Sequence, residues 1–211
     1  AELAAQRLIY ARDSDPTNPT VLRLLTVSFW QSGNLAAAGR TVRDWSRAET
    51  DRPTPERFAS RIYEDMGALD LAAESAVKVT QRAPADPSSW ARLGRLRLRL
   101  MDREAAISAL ENARSLGPTV ESQLDLALAY HLAGDVGAEA SAAEAATRLD
   151  DESALAWSAF AHALARTDRI SECIAACERT LALEPENEEV AELLERARAS
   201  IPPELAAWQA A

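Results

Sequence analysis

The feature that most constrains this chain is an internal period of 34 residues. Trp90 and Pro118 lie 28 positions apart, and so do Trp157 and Pro185. Gly33 and Gly67 lie 34 apart and open the turn-forming pairs Gly33-Asn34 and Gly67-Ala68, with Gly134-Asp135 as a third. On this period the chain divides into 19–52, 53–86, 87–119, 120–153 and 154–187, the third unit being one residue short. Such a period marks stacked supersecondary units, each too small to bury its own apolar face. Composition says of what kind. Alanine is about a fifth of the chain, glycine is limited to 7 residues and aromatics to 5%, a mixture that favours helix over sheet. Asp15-Pro16, Asp86-Pro87, Gly117-Pro118 and Glu184-Pro185 mark the breaks between units, because proline cannot continue a helix and restricts the residue before it.

Inside each unit particular places repeat. The eighth holds Thr26, Ser60, Gly94, Ala127 and Ala161, all small. The twentieth holds Ala38, Ala72, Ala106, Glu139 and Cys173, with Glu139 the departure. The eleventh holds Phe29, Tyr63, Arg97, Tyr130 and Leu164, and the twenty-seventh holds Trp45 and Val79 in the first two units. In period and in these places the chain resembles the tetratricopeptide repeat (TPR) family. The resemblance implies an all-α fold, a right-handed α-solenoid (superhelix) of about five helix–turn–helix units. It implies one solenoid over 1–200, with an N-terminal half repeat at 1–18 (Ala4, Leu8, Ala11 and Pro16 in its places) and a polar capping helix at 188–200. The bulk of Trp45 is expected to widen helix spacing near residues 42–58. Residues 201–211 form a tail, and its Trp208 docking into a groove of its own or of a neighbour is one route to self-association. The opening Ala1-Glu2-Leu3-Ala4 is neither a signal peptide nor an initiator, so a longer parent chain is expected.

Charge and chemistry narrow the function. A net charge of −10 argues against nucleic-acid partners and anionic membrane surfaces, both of which call for surplus cations. No apolar run is long enough to insert in a membrane. Lys78 is the sole lysine among 23 basic residues, an arginine bias that fits a GC-rich bacterial genome. Phosphate-cradling glycine loops and nucleophile elbows are absent from the sequence. Cys173 and Cys177 sit four apart at buried places, read as core thiols, and lean towards a cytoplasmic location, with the periplasm as the alternative. No catalytic residue, metal site or cofactor is expected.

In the TPR family the first helix of each pair lines a concave groove. The resemblance places the ligand-facing positions at the second, fifth, ninth, twelfth and thirteenth of each unit. These carry Arg23, Arg57, Arg61, Arg95, Arg99 and Arg166 against Glu64, Asp65 and Glu121, a locally basic surface on an acidic chain. Arginine forks suit carboxylates and phosphates. Trp30, Leu98, Leu124, Leu128 and Leu132 add apolar surface, and His131 and His162 fall on first helices of successive units, near enough to meet in the groove. Chaperone-binding members carry a lysine/asparagine clamp; Arg57 and Arg61 hold two of its places, and its asparagines are missing here. The expected function is a non-catalytic scaffold whose groove binds a protein or peptide with acidic and apolar side chains. The alternatives are a substrate-recruiting arm of a larger multidomain enzyme, such as a glycosyltransferase or protease, and a periplasmic assembly or secretion subunit.

Overall fold

The computed structural model describes residues 2–200, and every regular element among them is an α-helix. The expectations for the 201–211 tail and for Trp208 lie outside the described residues. Two compact bodies divide the chain at residues 102 and 103. The first holds α1 (Glu2–Ser14), α2 (Pro19–Gln31), α3 (Leu35–Ala48), α4 (Thr54–Asp65), α5 (Leu69–Arg82) and α6 (Pro87–Arg99). The second holds α7 (Arg103–Leu116), α8 (Val120–Ala133), α9 (Val136–Leu149), α10 (Ala154–Ala165), α11 (Ile170–Leu183) and α12 (Glu188–Ala199). Within each body every helix packs on the next in sequence, the order expected of stacked helical hairpins. The division falls inside the 87–119 repeat, between its two helices.

Local chemistry explains the helix limits. Asn18, Asp86, Thr119, Asp135, Ser153 and Asn187 accept backbone N–H bonds at helix N-termini, satisfying donors that have no intrahelical partner. Each hairpin turn contains one left-handed residue at the same place in its repeat: Gly33, Gly67, Met101, Gly134 and Asp168. The third and fifth repeats, which lack the glycine, thus place Met101 and Asp168 in a conformation that strains L-residues. The repeating tryptophan also has a structural duty. The indole Nε1 of Trp90 donates to the Pro84 carbonyl and that of Trp157 to the Asp151 carbonyl, both at 2.8 Å, pinning each to the turn before its helix.

Helix-to-helix contact depends on the small places. Thr26, Ser60 and Ala161 are fully buried, as are Ala38, Ala72, Ala106 and Cys173. Trp45 is 1% exposed. It fits its crowded place by laying its ring 5.5 Å from that of Phe58 and donating from Nε1 to Glu49. At Gly39 a Cβ would stand 3.1 Å from Met66 Sδ, so the missing side chain admits the end of α4. Arg97, at a place that is aromatic in three of the five units, is half-buried and bonds Asp102 at 3.1 Å, while Leu96 next to it in sequence is buried. The thiols of Cys173 and Cys177 are free and buried, and burial pushes both upward, Cys177 to about 12.

Candidate functional site

In the first body α4 and α6 approach along a cleft of about 160 Å³, floored by Ala76 and Val79 of α5. Arg57 and Arg61 enter from α4, Arg92 and Arg95 from α6. Three of these four arginines are the ones that repeat position assigns to the groove; Arg92 lies on the same wall. Arg57 bonds Asp86 at 2.6 Å, joining the start of α6 to α4. Arg92 spans the cleft, with Nε donating to the Ser60 hydroxyl at 2.9 Å and Nη2 to Glu64 at 2.6 Å. Arg99 engages the other oxygen of Glu64. Arg61 is exposed and pairs with no described carboxylate, and with Arg95 it stands near enough to Arg92 to repel its charge. Burial first, then this repulsion, lowers the Arg92 pKa against the opposing pull of Glu64.

Asp86 completes this region. Burial alone would raise its pKa, but the Ser89 and Ser88 hydroxyls and Arg57 outweigh that and bring it down to about 2. Other expected groove residues are placed differently. Trp30 donates from Nε1 to Asp65 at 2.6 Å and meets Phe58 edge-on with ring centres 5.8 Å apart, so its polar edge is already engaged. Arg23 is exposed on α2 and is not among the residues lining the cleft. Leu98, at 8% exposure, is buried together with Leu93 and Leu96.

The second body has its own depression of about 310 Å³ where α8 and α10 meet. Leu124, Leu128 and Leu155 form its apolar wall, and His131 and His162 both line it. Leu128 and Leu155 are 48% and 68% exposed, so the wall leaves an apolar patch open to solvent. The departure at Glu139 is explained here. Its carboxylate, 7% exposed, is held by Arg166 and lies 3.0 Å from His131 Nδ1, which Arg166 also approaches at 2.6 Å. A protonated Nδ1 donates to Glu139, and an unprotonated one accepts from Arg166. Arg166 is therefore committed to a buried carboxylate. His162 Nε2 lies 3.5 Å from Glu189 at the start of α12. Among the described residues no group of three or more His, Cys, Asp or Glu side chains is arranged to hold a metal ion, and no helix is long and apolar enough to cross a membrane.

Sequence reasoning missed Ser60 as a cleft residue, the Glu139–Arg166 pair and the exposure of Leu155. Only the first had a signal: partners on successive first helices differ by about 28 to 35 positions, as Arg92 does from Glu64 and from Ser60, whereas Glu139 lies on a second helix.

No family model and no curated protein matches the chain. Solved structures do. YrrB, described as a TPR protein with an unusual peptide-binding site, is 14% identical, with 92% of this chain and 99% of that one covered at a TM-score of 0.74. MamA is 19% identical, with 81% and 94% covered at 0.73. A thermophilic TPR protein of Thermus thermophilus is 21% identical, with 86% and 98% covered at 0.54. Likeness of this extent at such low identity resides in the helical architecture, and with the period and the recurrent geometry of its turns it means that this chain has the tetratricopeptide repeat fold.

Proposed function

We propose that this protein is a non-catalytic scaffold that binds an extended segment of a partner protein bearing acidic and apolar side chains. The observation that carries the reading is the convergence of Arg57, Arg61, Arg92 and Arg95 on one cleft in a chain of net charge −10. Arg57 and Arg92 also hold internal carboxylates, and the exposed Arg61 beside them keeps the cleft open to an incoming anion. The guanidinium forks offer paired donors to carboxylates. Leu128 and Leu155 in the second body supply a separate apolar contact, each worth roughly 1.5–3 kcal/mol if fully covered by a ligand. The likeness to YrrB, whose description names a peptide-binding site, supports the same reading. The buried thiols favour a reducing compartment such as the cytoplasm.

The test is binding of fluorescent degenerate peptides of Glu, Asp, Leu and Phe, followed by anisotropy. Affinity should fall as salt rises from about 50 to about 300 mM, since exposed pairs are screened beyond a Debye length of about 10 Å. The double reversal Arg61→Glu, Arg95→Glu should abolish binding while the helical circular dichroism and melting transition persist. An unchanged affinity in that folded variant removes the electrostatic claim.

A further inference from the structure

Resting on the reading above, we infer that the α4–α6 cleft takes a phosphate monoester, a phosphorylated serine or threonine on the bound segment, in preference to a carboxylate. The charge balance points that way. In the cleft and at its edge, Arg57, Arg61, Arg92 and Arg99 face two resident carboxylates, Asp86 and Glu64. Those carboxylates already occupy guanidinium forks, so an arriving carboxylate merely exchanges one monoanion for another. A phosphomonoester brings up to two charges and three terminal oxygens, enough to bond several arginines at once.

The polar lining and the size agree. Ser60 is fully buried and lines the cleft. Its oxygen accepts from Arg92 Nε, while its hydroxyl proton donates to no acceptor among the described residues. With the Ser88 and Ser89 side chains this hydroxyl makes the lining between the guanidiniums polar, and it fixes Arg92 in place. The cleft volume of about 160 Å³ equals about five times a water molecule's share of the liquid. That is room enough for a phosphate group.

The experiment uses the whole chain and three degenerate peptide libraries that differ only at the central residue: phosphoserine, glutamate or serine. At pH 7.5 the phosphoserine library should be retained about tenfold more strongly than the glutamate library. The advantage should shrink below about pH 6, where the phosphate loses its second charge. Arg61→Gln, on an exposed side chain, and Ser60→Ala, a small change in a buried one, should each reduce the phosphoserine-to-glutamate ratio while folding is verified by circular dichroism. Equal retention of phosphoserine and glutamate overturns this inference and leaves the acidic-segment reading standing. Retention of neither above the serine library overturns both. Inorganic phosphate binding as tightly as the phosphopeptides would overturn the assignment of the phosphate to a peptide.

Discussion

Replacing Asp86 by asparagine separates its charge from its shape. Asparagine caps a helix as well as aspartate does, so the N-terminus of α6 keeps an acceptor and only the ionic contribution is removed. The folded carboxyl has its pKa lowered from 3.8 to about 2, below its unfolded value. Its contribution is therefore fully present above about pH 4 and is lost as the pH falls through about 2. At about 1.36 kcal/mol per pKa unit, the drop from 3.8 to about 2 sets an upper bound of about 2.4 kcal/mol at neutral pH. Arg57 is 42% exposed, so screening reduces its share, and the expected loss is about 1–2 kcal/mol. Urea unfolding of the native protein and Asp86→Asn at pH 7 and pH 3 measures it. The gap should shrink by about half at pH 3, where linkage leaves about half of the bound. A gap equally large at both pH values would refute the reasoning, because the loss would then owe nothing to ionisation.

Arg166→Ala should destabilise the second body by about 2–3 kcal/mol, since it strands the buried Glu139 carboxylate, and adding Glu139→Ala should recover most of that loss. Additive costs in the double variant, by denaturant unfolding, would contradict this. Met101→Gly should raise stability by about 0.5–1 kcal/mol, because Met101 has φ 59° and its side chain is 59% exposed. A lower unfolding midpoint would count against the strain. Cys177, pushed to about 12 by burial, should react with a thiol reagent at pH 8 roughly three orders of magnitude more slowly than a free thiol. Fast labelling of the folded chain would show that the thiols are not core residues.

The helices were legible because their causes are local. Asn18-Pro19 and Asp86-Pro87 each combine a capping side chain with a proline that starts a helix, and the small residues from Thr26 to Ala161 announce where helices meet. The arginines were harder to read. Arg57, Arg61 and Arg95 could be placed near one another by repeat position, but their state could not. Arg57 is tied to Asp86, while Arg92 and Arg99 divide Glu64 between them. Likewise nothing local distinguishes Leu98, which is buried, from Leu128, which is 48% exposed.

The sequence by itself determined the period, the helical character, the turn positions and the concentration of arginine on α4 and α6, since capping, proline geometry and side-chain entropy act within a few residues. Only tertiary structure decided which guanidiniums are spent on internal carboxylates, that Glu139 is a buried counter-ion and that Ser60 faces an arginine cleft. The physical reason is that a charge's role depends on what packing brings within about 4 Å of it, and those partners lie about 26 to 35 residues away in the chain, mostly in the neighbouring repeat.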